Sequence, residues 1–213
     1  MNDPLPRRDS RDSRPSAVLF DMDGTLTLPQ FDFDVIRREI GLPTEPRTPI
    51  LEAMERMSAA DRARAEAILL RHEAAAAETS LLWDDARHVI ESIRAAGVPV
   101  GLLTRNSRLS VDTVLALHGL AFDAEYTRED GPVKPAPDPV LNVCRRLKAD
   151  PARAWVVGDY VFDIQSGNAA GAITVLMLGD SDRPPWADQA VHVIRRLSEL
   201  LPLLGMAAAR GST

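Results

Sequence analysis

The sequence predicts an α/β protein with a doubly wound, mostly parallel, Rossmann-like sheet and a small all-helical cap inserted after the first strand. Two observations predict the sheet: short apolar runs end at polar residues or glycine, and helical patterns that close at glycine lie between them. A third, a long stretch with no credible strand after the first run, predicts the insertion. Alternating strands and helices imply right-handed crossovers, and such sheets bind ligands beyond the carboxyl ends of their strands.

The elements follow in order from these patterns. Buried strands are predicted at 17–20, 98–103, 124–126, 154–157 and 173–178. Helices of the core are predicted at 85–96, 109–118, 164–170 and 197–204, and a further, proline-bounded helix is predicted after Lys134. The single cysteine, Cys144, allows no internal disulfide and is interpreted as a buried structural thiol.

The segment 29–82 is predicted to form the cap, with three helices. Ser58 and Asp61 have the spacing of an N-terminal capping pattern ahead of the alanine-rich third helix. Residues 17–28 and 83–213 are assigned to the catalytic core. Residues 1–16 alternate arginine and aspartate and are predicted to be a disordered tail.

The composition restricts the classes of function. Of 213 residues, 45% are hydrophobic and 26% are charged, which is typical of a soluble chain with one full core. The apolar runs are far shorter than the roughly 18 residues that a membrane span needs. A net charge of -6 argues against nucleic-acid binding. The polar start resembles no secretory signal, so a cytoplasmic location is expected.

A pair of acids directly follows the first strand. Asp21 and Asp23 are separated by one residue, so both carboxylates are expected beyond the strand end, flanking one site. Two close acids repel each other unless a cation neutralises them, and ligation by oxygen alone favours a hard ion such as Mg²⁺. Gly24 and Thr25 suit the tight turn that follows.

This pattern, Asp21-Met22-Asp23-Gly24-Thr25, resembles the first signature of the haloacid dehalogenase superfamily of phosphohydrolases, and of phosphoglycolate phosphatases in particular. The three further signatures of that superfamily follow in order: Leu102-Leu103-Thr104, then Val133-Lys134-Pro135, then Gly158-Asp159 with Asp163 four residues later. The resemblance covers roughly residues 17–204. All four motifs fall at predicted strand ends or before predicted helices.

The resemblance implies a role for each motif in phosphoryl transfer. Asp21 is the implied nucleophile that carries an aspartyl-phosphate, and Asp23 the implied general acid and base. Thr104, the backbone amide of Arg105 and the ammonium of Lys134 are the implied phosphate-binding groups. Lys134 is one of only two lysines among the 25 lysines and arginines, which indicates that this position requires a compact ammonium.

The resemblance also implies a Mg²⁺ site, with Asp21, Asp23 and Asp159 as ligands and Asp163 as a supporting acid that pairs with Lys134 or orients the ligands. Two positions depart from the family pattern. Arg105 stands where many relatives have asparagine, and Tyr160 stands where serine or threonine is frequent, so its bulk can narrow the pocket.

The function expected from these residues is a Mg²⁺-dependent phosphomonoester hydrolase of a small phosphorylated metabolite, with neither nucleic acid nor membrane as partner. A sugar phosphomutase is an alternative, but such relatives rely on basic cap residues, often a lysine, and the cap has no lysine. A phospho-receiver-like interaction module is the non-enzymatic alternative. Arg47, in the proline-rich loop 41–49, is the candidate cap contact to an anionic or polar leaving group. The oligomeric state is left open.

Overall fold

Six parallel strands form the centre of the protein in the computed structural model, which describes residues 14–206. The strands are Ala17–Phe20 (β1), Val100–Leu103 (β2), Ala124–Tyr126 (β3), Ala154–Gly158 (β4), Ile173–Met177 (β5) and His192–Ile194 (β6). Their order is β3-β2-β1-β4-β5-β6, and every neighbouring pair is parallel. Because the strand order reverses between β1 and β4, their carboxyl ends border the crevice where such sheets bind ligands.

The helices lie where the sequence predicts them, with shifts at their ends. They are Phe33–Ile40 (α1), Ile50–Met54 (α2), Ala59–Glu78 (α3), Ala86–Ala95 (α4), Arg108–His118 (α5), Asp138–Leu147 (α6), Val161–Ala169 (α7) and Leu200–Leu203 (α8). The predicted fold class is confirmed. Three details differ: α7 begins three residues earlier than predicted, the last predicted helix is a 3-10 turn followed by the short α8, and β6 was not predicted.

The sheet is buried on both faces. Val18 and Phe20 of β1 pack into one hydrophobic cluster, whereas Ala17 and Leu19 pack into a second one on the opposite face. This alternation follows from the two-residue period of a strand. It explains why the strand reads as a continuous apolar run, as strands of parallel sheets do. Cys144 lies in the second cluster and is 1% exposed, as predicted for a structural thiol.

The segment between β1 and α4 contains α1, α2 and α3, which share a hydrophobic cluster of their own. The buried members of this cluster are Ile36, Ile40, Ile50, Met54, Ala65 and Leu69. Asp32 caps α1, since its carboxylate accepts from the amides of Asp34 and Val35. Ser58 caps α3 and accepts from the amide of Asp61 at 3.2 Å. The two ends of the segment lie together, because Leu28 N donates to Leu81 O at 2.8 Å. The exact limits of a separate cap domain stay a prediction.

Residues 1–13 of the predicted disordered tail lie outside the described residues. Its last part is tied to the core: the Arg14 guanidinium donates to Ala96 O at 2.9 Å and Ser16 N donates to Arg153 O at 3.0 Å. The end of the predicted core, residues 207–213, is likewise outside the described part. Within residues 14–206, none of the helices combines the length and the apolar character that crossing a bilayer demands.

Candidate active site

Asp21 is the first residue beyond β1 and lies at the crevice between β1 and β4. Its backbone amide donates to Val157 O at 2.9 Å, which continues the pairing of β1 with β4 and holds the residue in place. Its side chain turns into a cavity of about 690 Å³ that opens beyond the strand ends. The cavity is also lined by Asp23, Thr104, Lys134, Asp159 and Asp163. The structure therefore brings together the site residues of all four sequence motifs.

Lys134 lies at the centre of this group and is 3% exposed. Its Nζ donates to Asp21 Oδ1 at 2.5 Å, to Asp163 Oδ1 at 2.6 Å and to Leu103 O at 2.9 Å. These three acceptors match the three protons of an ammonium. Burial alone disfavours the charge, but Asp163 and Asp21 outweigh it and raise the Lys134 pKa above its ordinary value. Lys134 is therefore a fixed positive charge beside Asp21.

Two glycines allow the acids to approach this closely. Gly24 has φ +81°, and a Cβ there would lie 2.3 Å from Asp159 Oδ2. A Cβ at Gly158 would lie 2.2 Å from the Asp163 side chain. Any larger residue at either position would push an acid away from the site, which explains why both motifs contain glycine.

A divalent cation fits the acids that the structure assembles. Asp21, Asp159 and Asp163 each offer one carboxylate oxygen, and these atoms lie within 4.8 Å of one another. Oxygen-only donors of this kind suit Mg²⁺. The set of acids that could hold the cation differs from the sequence prediction, because Asp163 belongs to this group and Asp23 does not. Both oxygens of Asp163 are already engaged, Oδ1 by Lys134 and Oδ2 by the amide of Tyr160 at 3.0 Å, which agrees with the supporting role expected for it.

Asp23 is held by a residue that sequence reasoning did not select. Asn106 Nδ2 donates to Asp23 Oδ2 at 2.5 Å, and the Asn106 amide donates to Thr104 Oγ1 at 3.1 Å. Asn106 thus connects the first and second motifs. Its place directly after the unusual Arg105 was the available signal, since an asparagine displaced by one position can still reach the site.

Three carboxyl groups of the site, those of Asp21, Asp23 and Asp159, have raised pKa values. Burial and then Asp21 raise the Asp23 pKa from 3.8 to about 7. Burial also raises the Asp21 pKa, to about 6, although Lys134 opposes the shift. Burial, Asp21 and Asp163 together raise the Asp159 pKa well above its ordinary value. One ammonium is too little positive charge for so many buried acids, so the site favours the binding of a cation or of protons.

The side chains of Thr104 and Arg105, in and directly after the second motif, have different partners. Thr104 is 3% exposed, and because its hydroxyl oxygen accepts from Asn106, its own proton can be donated into the cavity. The Arg105 side chain is held by other residues. It donates to Lys134 O and to Glu52 Oε2 at 2.8 Å, and its guanidinium carbon lies 4.7 Å from the centre of the Phe162 ring. Only the backbone amide of Arg105 is thus left for the predicted phosphate contact.

Arg47 lines the outer part of the same cavity. Its guanidinium lies 2.7 Å from Asp34 Oδ2 and 3.9 Å from Glu45, and its side chain is 61% exposed. A contact from Arg47 to a leaving group stays a prediction. Tyr160 also lines the cavity and is 54% exposed, so its ring stands at the mouth of the cavity.

A buried ion pair joins the inserted helices to the core, and it too was missed from sequence. Glu73 of α3 is 3% exposed, pairs with Arg128 and accepts from the amide of Ser107 at 3.2 Å. Ser107 caps α5, so the carboxylate lies where a helix N-terminus favours negative charge. The sequence of the alanine-rich helix does not reveal the partner of Glu73, because the contact depends on how α3 packs on α5.

Comparison with known proteins agrees with this geometry. An uncharacterized hydrolase of Saccharomyces cerevisiae is 32% identical over 167 residues, 76% of each chain. The pyrophosphatase PpaX of Bacillus velezensis is 28% identical over 92% of this chain and 99% of its own. Among solved structures, a hydrolase from Pseudomonas syringae has a TM-score of 0.77 at 17% identity and covers 89% of this chain and 98% of its own, which is a likeness of fold.

A family model also matches the chain. Residues 15–171 match the haloacid dehalogenase-like hydrolase family, a range that contains β1 to β4 and all four motifs. An interaction module without enzymatic activity is set aside on this ground. With the site at the crevice and the matched range spanning more than half of the chain, the protein belongs to the haloacid dehalogenase-like hydrolases.

Proposed function

We propose that the protein is a Mg²⁺-dependent phosphomonoester hydrolase that works through an aspartyl-phosphate on Asp21. The observation that carries the proposal is the ion pair between Lys134 Nζ and Asp21 Oδ1 at 2.5 Å, in a cavity that Asp23 and Asp159 also line. A lysine held this way fixes the orientation of one carboxylate and leaves a positive charge where phosphoryl oxygens arrive. Phosphoryl transfer depends mainly on such positioning and electrostatic stabilisation.

In the first step the free carboxylate oxygen of Asp21 attacks phosphorus, and the bond between phosphorus and the ester oxygen breaks. Asp23 gives its proton to that oxygen, so the leaving group departs as a neutral alcohol. A pKa of about 7 suits this task, because Asp23 is then protonated in a large fraction of molecules near neutral pH. Asn106 holds the carboxyl group that performs the transfer.

In the second step a water molecule attacks the phosphorus of the aspartyl-phosphate. Asp23, now ionised, takes a proton from this water, the bond between phosphorus and Asp21 breaks, and inorganic phosphate leaves. Dividing the displacement into two steps returns both aspartates to their starting states. Asp23 serves both steps, because the proton transfer of the second step is the reverse of that of the first.

The remaining residues stabilise the phosphoryl group. The Thr104 hydroxyl and the Arg105 backbone amide donate to its oxygens, and the Lys134 ammonium, whose three protons are held by Asp21, Asp163 and Leu103 O, attracts the oxygens through its positive charge. Mg²⁺ held by Asp21 and Asp159, with Asp163 beside them, would supply the positive charge that lets a phosphate dianion approach these acids. The substrate is a small phosphorylated compound, and a cytoplasmic location stays a prediction.

The test is release of inorganic phosphate from a panel of phosphomonoesters, with pyrophosphate included because a relative carries that activity in its name. The proposal expects release that needs Mg²⁺, stops in excess EDTA and is lost in Asp21→Asn. Asp112→Asn, an exposed acid on α5, is the matched control and retains turnover. Full turnover after dialysis against EDTA would contradict the metal requirement.

A phosphomutase is the competing activity within the same mechanism. It differs only in the acceptor, because the phosphoryl group returns to a bound sugar and not to water. The cap offers no lysine for that task, and its cavity-lining arginines, Arg37 and Arg47, are both paired with Asp34. Incubation with sugar 1-phosphates separates the two: free phosphate supports the hydrolase, and an isomeric sugar phosphate supports the mutase.

A further inference from the structure

The inserted segment contributes apolar side chains to the outer part of the cavity. They are Phe31, which precedes α1, and Phe33, Ile50, Leu51 and Leu69 of the inserted helices. The Phe31 and Phe33 rings stack with their centres 5.4 Å apart, and Phe33 remains 51% exposed. Apolar surface of this size in a concave site gains free energy when a ligand covers it.

Aromatic rings also line the cavity from the side of the core. Tyr160 and Phe162 follow β4, and their rings meet edge to face with centres 5.0 Å apart. Arg105 lies over the Phe162 ring and fixes its position. The cavity is thus bordered by rings from both parts of the chain, and rings of this kind prefer a flat aromatic neighbour in stacked or edge-to-face geometry.

The positive charges of the outer cavity are already compensated. Within residues 14–206, the cavity is lined by three arginines, and each has a carboxylate partner. Arg37 and Arg47 share Asp34 at 3.1 and 2.7 Å, and Arg105 pairs with Glu52 at 2.8 Å. A second anionic group on a substrate would lose its hydration here without gaining an uncompensated cation, which is unfavourable.

The size of the cavity points in the same direction. A volume of about 690 Å³ lies within the range of pockets that enclose a drug-sized ligand, about 300 to 1,000 Å³. A phosphoryl group on a two-carbon acid, as in phosphoglycolate, would leave most of this space and the exposed face of Phe33 uncovered. The resemblance to phosphoglycolate phosphatases therefore does not extend to the chemistry of the outer cavity.

We propose that the preferred substrate is a phosphomonoester whose leaving group is an uncharged, flat aromatic ring system, covered by Phe33 from the cap side and by Tyr160 and Phe162 from the core side. This proposal rests on the proposed hydrolase function and names its substrate class. It assigns Phe33 as a specificity-determining residue.

The test compares four phosphate esters of primary alcohols, so that differences in the leaving ability of the alcohol stay small. They are benzyl, cyclohexylmethyl and ethyl phosphate, and 2-phosphoglycolate. We expect kcat/KM for benzyl phosphate to exceed that for ethyl phosphate by about tenfold or more, with cyclohexylmethyl phosphate between them. We expect 2-phosphoglycolate to be slower than ethyl phosphate.

A variant then ties the preference to the aromatic wall. Phe33→Ala is expected to lower the ratio of kcat/KM for benzyl over ethyl phosphate about tenfold. Leu117→Ala removes a similarly exposed side chain on α5 that does not line the cavity, and it keeps the wild-type ratio. Circular dichroism of both variants checks that they fold.

Different results would contradict the substrate class and the hydrolase function. Turnover of 2-phosphoglycolate at or above the rate for benzyl phosphate, or an unchanged ratio in Phe33→Ala, would overturn the substrate class while the hydrolase function stands. Absence of Mg²⁺-dependent phosphate release from all four esters, ethyl phosphate included, would overturn the hydrolase function and with it this proposal.

Discussion

Asn106 donates a hydrogen bond to Asp23 at 2.5 Å and thereby fixes the carboxyl group that we propose as the acid for the leaving oxygen. Replacing Asn106 by Ala is expected to lower kcat/KM for an alkyl phosphate about ten- to a hundredfold, because a hydrogen bond to a charged or reacting carboxyl group contributes that much. The measurement is kcat/KM on an alkyl phosphate and on 4-nitrophenyl phosphate, because kcat/KM reports the first step and leaves out the hydrolysis of the aspartyl-phosphate that both substrates share. Since the nitrophenolate leaves without a proton, the loss should be much smaller there, and an equal loss on both would contradict the positioning role.

Lys134 should be irreplaceable although the chain otherwise uses arginine. Lys134→Arg places a forked, larger cation where three acceptors surround a single nitrogen, so we expect phosphate release to fall to background. The matched control is Lys148→Arg, at the only other lysine of the chain, which lies at the end of α6. Lys134→Arg with ordinary turnover would mean that the position needs only positive charge.

The raised pKa of Asp23 predicts how activity depends on pH. Asp23 must carry a proton to act as the acid, and its pKa of about 7 means that this form is lost as pH rises through that value. We therefore expect kcat/KM for an alkyl phosphate to fall above pH about 7. In Asp23→Asn the remaining activity, lower by roughly a hundredfold to ten-thousandfold, should lack this decline. A decline of the same shape in the variant would assign it to another group.

The same pKa shift predicts a stability effect of definite sign. Because the native state keeps Asp23 protonated up to pH about 7 while the unfolded chain loses that proton near 3.8, the free energy of unfolding falls as pH rises through this window. In EDTA at pH 8, Asp23→Asn should therefore unfold at a higher temperature than the wild type. The difference should shrink as pH falls toward 4, and a lower melting temperature for Asp23→Asn at pH 8 would contradict the shift.

The buried pair of Glu73 and Arg128 predicts that the inserted helices need this contact to stay on the core. Glu73→Ala leaves the buried Arg128 guanidinium with only the more exposed Glu129 at 3.9 Å, which costs up to about 3 to 5 kcal/mol of unfolding free energy. Glu66→Ala, at an exposed position of the same helix, is the control and should cost little. Urea unfolding of both variants checks the prediction, and equal midpoints would show that the pair adds no stability.

The sequence was enough to predict a site residue where the position of that residue follows from the arrangement of the strands. Asp21, Thr104 and Asp159 each come directly after a buried apolar run, and parallel strands bring such ends to one edge. The strand β6 escaped prediction because three residues at the sheet edge carry too little pattern. Glu73 was missed because its partner depends on packing between distant segments, which spacing along the chain does not reveal. Asn106 was missed because it stands one position later than the asparagine of the family pattern.

The central claim is that Asp21 accepts the phosphoryl group. The most direct measurement is acid quenching of a single turnover with a ³²P-labelled substrate, followed by peptide mapping. The account predicts acid-stable label on the peptide that contains Asp21 in the wild type, and neither label nor phosphate release in Asp21→Asn. Phosphate release by Asp21→Asn at a rate near that of the wild type would contradict it.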